Sequence, residues 1–425
     1  MRVAVRALWR VMSERALCAR HIRRICFRSK EHRLHVARRL KELPPYPFAE
    51  IARLKAKAIT EGVDLLDFGI GDPDIPTPAH IVDALREAAG DPSTHQYDES
   101  GTGIPAFRRA ASDYCSDRYG VSVDPDSEVL RLIGSKDGIA HLPWAVVDSG
   151  DTVLVPDPGY AVYKVGAAFV GAVPYVLPLL PERGYLPDLD AIPEEVAARA
   201  RLLWLNYPNN PLAATATEEF FEKVVSFARK HDIIVAHDFA YAEVAFDQYK
   251  PVSFLSIPGA KDVGIEFHSL SKSYRMTGWR LGFAVGNRDL IKALNQLKSN
   301  IDSGVFVAIQ RAGVAAMTGP QDCITEMRTI YQRRRDLFVD TLCKMGWDIP
   351  RPLATFYLWA PIPERFGSGQ ELATFLLKEC GILCTPGSAY GACGDRFVRF
   401  SLTVQGGSAE EKIREACRRI QQHVL

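Results

Sequence analysis

Three polar clusters stand directly after short apolar runs. Asn206-Tyr-Pro-Asn-Asn210-Pro211 follows residues 202–205, Asp238 follows 233–236, and Lys272 sits in Ser269-Leu-Ser271-Lys-Ser-Tyr-Arg-Met-Thr-Gly-Trp-Arg280 after 265–268. Their types are complementary: an amide that donates and accepts hydrogen bonds, a carboxylate, and an amine able to carry a proton. Each cluster alone reads first as a capping loop or a surface turn. Ligands of open α/β sheets lie beyond the carboxyl ends of the strands, so the three together read as one crevice. A fourth segment, Gly134-Ser-Lys-Asp-Gly138, leads into a predicted helix. It lacks the GxxxxGK[ST] spacing of a nucleotide P-loop, so Lys136 is assigned no ATP chemistry.

Rigid elements must hold those residues. Short apolar runs recur at 129–133, 152–155, 174–177, 202–205, 233–236, 265–268 and 281–285. Helical spacing at 138–147, 217–230 and 288–298 separates several of them, which predicts an α/β domain with a largely parallel sheet. Upstream, 51–60, 78–90 and 107–119 are predicted helices, with an extended 65–69 between the first two. The Ala/Glu-rich stretch 191–200 is predicted to be simply helical. After a helix-rich 303–344, strands near 354–359 and 397–402 flank a helix at 371–379, and a last helix covers 409–422. That makes a second, smaller α+β unit.

The chain has 425 residues, 47% hydrophobic and 24% charged, which excludes disordered and collagen-like classes and leaves ample length for a core. A net charge of +1 supplies no general pull toward nucleic acid. The nine cysteines are scattered without CxxC spacing, which fits a reducing compartment, and no metal is expected. The longest uncharged apolar stretch, 165–180, contains Pro174 and Pro178 and is shorter than the roughly 20 residues of a membrane span, so no transmembrane segment is predicted. The expected location is cytoplasmic. Charge is uneven, because residues 1–43 carry 11 Arg and 2 Lys against 3 Glu and leave the remainder acidic. This arm reads as a solvated extension or an upstream start, with Met12 as a later one. An amphipathic helix that touches anionic lipid or RNA is the alternative, and a transit role stays open. The expected organisation is a basic extension over 1–33, an arm and part of the small domain over 34–74, a large domain over 75–325 and a C-terminal small domain over 326–425.

From about Leu40 to Leu402 the sequence resembles the fold-type I pyridoxal-phosphate aminotransferases of class I/II, and most closely the LL-diaminopimelate aminotransferases. The segments that carry the resemblance are His237-Asp-Phe-Ala-Tyr241, Ser269-Leu-Ser-Lys272, Met276-Thr-Gly-Trp-Arg280, Gly69-Ile-Gly-Asp-Pro-Asp74 and Asn209-Asn-Pro211. The resemblance implies pyridoxal 5′-phosphate as cofactor. It implies that Lys272 bonds to the cofactor's C4′ and later carries the Cα proton, and that Asp238 partners the pyridine nitrogen. Asn210 and Tyr241 are implied donors to the phenolate oxygen, and Tyr160 the aromatic residue that stacks on the ring. Ser135, Lys136, Ser269, Ser271 and Arg280 are implied to hold the phosphate. Arg399, in Phe397-Val-Arg-Phe-Ser-Leu402, is implied to bind the substrate carboxylate, although an alternating strand by itself would leave it solvated at an edge. Gly71 is implied on the substrate side. Tyr97 is implied to reach the neighbouring subunit's phosphate, which makes the active unit a homodimer.

Two segments depart from the family pattern: Asn210-Pro-Leu-Ala-Ala214 lacks the usual Thr-Gly, and Asp98-Glu-Ser-Gly101-Thr-Gly103 differs from the commoner Pro-containing loop. They bear on substrate identity more than on reaction class. The implied substrates are an amino acid and a 2-oxo acid, first LL-2,6-diaminopimelate or its tetrahydrodipicolinate counterpart with 2-oxoglutarate and glutamate, in lysine biosynthesis. Alanine, glutamate, aspartate or aromatic donors are the alternative. A β-elimination lyase and a degenerate nucleic-acid-binding protein are further readings, and retention of Lys272, Asp238 and Arg399 argues against the last.

Overall fold

Most apolar runs become strands buried on both faces, which is what a parallel sheet covered by helices requires, while the edge strand at 173–178 is largely exposed. The computed structural model describes residues 35–43, 47–98 and 100–424. The basic extension 1–33, residues 44–46 of the Pro-rich stretch 43–47, and Glu99 lie outside the described residues. The described residues 35–43 belong to a unit of their own, with one helical turn at Arg38–Lys41. The second unit runs from Pro45 to Leu425.

In the second unit, β1 (Leu66–Asp67) is followed by β2 (Val129–Leu132), β3 (Thr152–Asp157), β4 (Val173–Pro178), β5 (Ala200–Asn206), β6 (Ile234–Asp238), β7 (Gly264–Ser269) and β8 (Gly282–Gly286). The helices around them are α1 (Pro47–Thr60), α2 (Ala79–Gly90), α3 (Pro105–Tyr119), α4 (Ser135–Val146), α5 (Ala161–Val170), α6 (Glu218–His231), α7 (Arg288–Lys298), α8 (Val307–Thr318) and α9 (Asp322–Lys344). Strands β2 to β8 make one sheet in the order β2-β8-β7-β6-β5-β3-β4. It is parallel from β4 to β7, while β8 runs antiparallel to both β7 and β2. Trp204, Ala236 and Phe267 pack on one face with Leu142 and Tyr163, and Leu203, Val235 and Phe283 pack on the other with Phe107 and Phe221.

Local signals set the helix ends. Thr217 caps α6 by accepting from the Phe220 amide, and Asp232 ends it in the left-handed region at φ 55°. Gly171, at φ 75°, ends α5 and turns the chain into β4.

The smaller α+β part holds β9 (Tyr357–Pro361), α10 (Gly369–Cys380), β10 (Ile382–Leu383), β11 (Thr385–Pro386), β12 (Phe397–Ser401) and α11 (Ala409–His423). Its antiparallel sheet has the order β11-β12-β9. Ser368 caps α10 at the Glu371 amide, and Glu371 reaches back to the Gly367 amide, a reciprocal pair that fixes the first turn. Strand β1 pairs in parallel with β10, so residues 66–67 join this part rather than the large sheet.

One expectation needs correction. Residues 191–200 are not simply helical: only Glu194–Ala197 makes a turn of helix, and Ala200 opens β5 in register with Thr152. Sheet pairing overrides the helical composition there. The apolar stretch 165–180 divides at Gly171 into the end of α5, which sequence spacing did not reveal, and β4. The sheet is largely parallel as expected, and β8 is the strand that runs against the rest.

Candidate active site

Asp238 ends β6, and the residue is 5% exposed. Tyr163 Oη of α5 donates to Asp238 Oδ2 at 2.9 Å, and the Ala240 amide donates to Oδ1 at 3.3 Å. Burial raises the Asp238 pKa above the ordinary aspartate value, while these donors and the nearby His237 and His268 act to lower it. Asn206, at the end of β5, ties two loops together: its Nδ2 donates to the Asp238 carbonyl at 2.7 Å, and its Oδ1 accepts from the Asn210 amide at 2.8 Å.

Asn210 is thereby set against the smaller sheet. Arg399 of β12 donates from Nη1 to Asn210 Oδ1 at 2.8 Å and from Nη2 to the Gly69 carbonyl at 2.8 Å. Its guanidinium carbon lies 4.0 Å from the Tyr357 ring centroid and 4.9 Å from that of Tyr390. With 0% exposure, Arg399 is a buried cation enclosed by aromatic faces, not a solvated edge residue. Tyr357 also bonds Tyr241, hydroxyl to hydroxyl, at 3.0 Å.

Lys272 occupies the single helical turn Leu270–Ser273 that follows β7. Its Nζ donates to the Gly71 carbonyl at 2.9 Å and stands 5.6 Å from the Phe356 ring centroid. Burial, together with the charges of Arg399 and Arg280, lowers its pKa to about 8, against the opposing pull of Asp72 and Asp238. The amine therefore has an appreciable neutral fraction near neutral pH, as a nucleophile or base requires.

Ser135 opens α4 beyond Gly134, whose φ of 73° is a glycine conformation. A Cβ on Gly134 would collide with the Arg280 guanidinium, so the glycine lets Arg280 approach the start of α4. Ser269 caps the lysine turn, accepting from the Ser271 amide at 3.3 Å. Lys136 Nζ lies 5.9 Å from the Tyr160 ring centroid, and Tyr160 meets Tyr163 edge-on at 5.8 Å.

The family model for aminotransferase class I and II matches residues 63–420. The chain belongs to this family. The aminotransferase is 53% identical over 384 residues to LL-diaminopimelate aminotransferase of Syntrophobacter fumaroxidans, covering 90% of this chain and 97% of that one. It is 52% identical to the protein of the same name from Desulforudis audaxviator over 87% of this chain and 93% of that one. Among solved structures, substrate-bound BacF from Bacillus subtilis superposes with a TM-score of 0.86 at 38% identity, covering 91% of this chain and 97% of that one. A probable N-succinyldiaminopimelate aminotransferase from Thermus thermophilus has a TM-score of 0.82 at 36% identity, covering 89% of this chain and 100% of that one.

Membership implies pyridoxal phosphate, and the residues of this aminotransferase fit that group. A dianion is suited by helix-start amides beside an arginine that only a glycine admits, and an electrophilic carbonyl by an amine with a lowered pKa. Tyr97 is 80% exposed in the single chain. Sequence reasoning missed Tyr163 and Tyr357. Tyr163 lies in the helix that spacing did not reveal, while Tyr357 falls within the predicted strand 354–359 and differs from its neighbours by its hydroxyl.

Proposed function

We propose that this aminotransferase transfers an amino group between LL-2,6-diaminopimelate and 2-oxoglutarate, giving the tetrahydrodipicolinate precursor and glutamate. The observation that carries this reading is about half identity, over most of both chains, to curated proteins named for that substrate. When bound, pyridoxal phosphate supplies an electrophilic carbon for the amino group and a ring that draws in the electron pair left at Cα.

The chain's own residues have separable tasks. Lys272 Nζ takes the proton from the substrate Cα and returns it during transfer. Asp238 holds a proton at the cofactor's ring nitrogen, and Asn210 and Tyr241 donate to its phenolate oxygen. Ser135, Lys136, Ser269, Ser271 and Arg280 hold the phosphate, and Tyr160 stacks on the ring. Arg399 binds the substrate carboxylate, a planar anion that matches its fork of donors. Gly71 and Asn210 line the substrate side. Tyr97 reaches the phosphate of a second copy, so the working unit is a homodimer.

The test is absorbance spectroscopy of the protein reconstituted with pyridoxal phosphate. LL-diaminopimelate and glutamate should each convert the bound cofactor to its amine form, and 2-oxoglutarate should restore it. Conversion by alanine or aspartate alone would keep amino transfer and replace the substrate. Ammonia release without an acceptor would identify a lyase instead.

A further inference from the structure

The proposed reaction leaves a buried polar group on the opposite face of the large sheet unused. Neighbouring residues of a strand alternate sides, so Asp238 and Phe267 point one way while His237, Glu266 and His268 point the other. His237 of β6 is the register partner of Glu266 of β7. Glu266 is 1% exposed, and every group around it offers a proton. Ser253 Oγ lies 2.9 Å from both of its oxygens, the Phe254 amide 3.0 Å from Oε2, and His268 Nε2 2.8 Å from Oε1. Burial acts to raise the Glu266 pKa, but the hydrogen bonds from His237 and His268 outweigh it and bring it down to about 2.

His237 is the decisive ring. Its Nδ1 lies 2.8 Å from Glu266 Oε2 and its Nε2 lies 2.9 Å from the Tyr207 carbonyl oxygen. A backbone carbonyl only accepts, and an ionised carboxylate only accepts, so both ring nitrogens must donate. Neutral imidazole has one N–H and satisfies one of these contacts; imidazolium satisfies both. The ring is 0% exposed and packed by Phe221 at 5.2 Å and Phe239 at 5.0 Å, so solvent provides no substitute partner.

We propose that Glu266 holds His237 as a buried imidazolium, and that this charge, one residue before Asp238 on β6, keeps Asp238 ionised for its partner on the cofactor. The inference rests on the role given to Asp238 above. His237 and Glu266 are positioning residues: they touch neither substrate nor cofactor and act through Asp238. A buried carboxylate loses hydration, and a fixed cation across the sheet offsets part of that loss without occupying the crevice.

Neutron diffraction from crystals of perdeuterated protein, with and without pyridoxal phosphate, reads the protons directly. The expected result is deuterium on both Nδ1 and Nε2 of His237 and none on Glu266. Deuterium on a single His237 nitrogen, or on the Glu266 carboxyl, overturns the proposal. His237→Gln then removes the charge while keeping an amide donor. It should weaken pyridoxal-phosphate binding and lower kcat about tenfold each, the equivalent of one pKa unit at Asp238, with KM for the amino donor unchanged. Wild-type binding and kcat in a folded His237→Gln protein overturn the proposal as well. Failure of the parent chain to bind pyridoxal phosphate is a different outcome, which overturns the reading of the crevice and is visible before any variant is made.

Discussion

Tyr163 Oη donates to Asp238 Oδ2 at 2.9 Å from a helix packed against the large sheet. Tyr163 is 1% exposed and its ring stacks on Trp204 with centroids 4.9 Å apart, so the hydroxyl is aimed by a packed aromatic pair. Tyr163→Phe keeps the ring and deletes the donor. Losing a hydrogen bond to a buried charge costs about 1.5–3 kcal/mol. The expected outcome is weaker pyridoxal-phosphate binding, about 10-fold to 100-fold, with the fold retained. Fluorescence titration of the cofactor-free protein and its thermal unfolding check both halves.

Cofactor loading should depend on pH through Lys272. An ammonium cannot add to a carbonyl, so the loading rate follows the neutral fraction of the amine. With the pKa lowered to about 8 from an ordinary 10.5, the rate should rise with pH and level off above about 8. Stopped-flow absorbance across pH 6 to 10 measures this. A rise that continues through pH 10 without levelling would show that burial and the two arginines do not act on Lys272 as described.

Arg399→Lys should impair amino-acid binding although it conserves charge. Lysine cannot reproduce the two parallel donors, and Asn210 Oδ1 and the Gly69 carbonyl would lose partners now at 2.8 Å. We expect kcat/KM to fall about 10-fold to 100-fold, mostly through KM, by steady-state kinetics. Pyridoxal-phosphate affinity should fall less than amino-acid binding, because the phosphate-holding groups lie on other elements and the loss reaches the cofactor through Asn210.

Gly71→Ala tests a close approach. The added Cβ would overlap Tyr357 Oη, so either Tyr357 or the 69–74 segment must move. Overpacking of this kind costs about 1–3 kcal/mol. The Gly71 carbonyl is the acceptor for Lys272 Nζ, and Tyr357 bonds Tyr241, so a fall in kcat should accompany the fall in thermal stability. Tyr357→Phe combined with Gly71→Ala should recover part of the stability.

Lys272 and Asp238 were legible in the sequence because each closely follows an apolar run, and a parallel sheet delivers such ends to one edge. Arg399 was legible only through family resemblance. Its strand alternates like a half-exposed edge, and what buries it comes from Gly69, Asn210, Tyr357 and Tyr390, distant in sequence. Tyr163 gave no cue, because α5 is apolar around most of its circumference and a tyrosine there reads as core. Residues 191–200 misled for the converse reason: their composition favours helix, and only the neighbouring β3 makes Ala200 a strand residue. His237 and Asp238 stand side by side in one motif, yet it took the pleat to show that the two side chains serve opposite faces.

The reversed β8 has a consequence for how the crevice tolerates change. The chain leaves the sheet at Ser269 and returns at Gly282, which is its register partner, and the Leu270 amide bonds the Leu281 carbonyl at 3.3 Å. The intervening segment is thus a closed loop pinned at its neck, carrying Ser271, Lys272 and Arg280 on one tether. Lengthening such a loop by a residue costs little in closure entropy, so the sheet would survive an insertion. The distance between the amine and the guanidinium would not, because both hang from the same fixed contour. In this segment, length is constrained by chemistry long before it is constrained by folding.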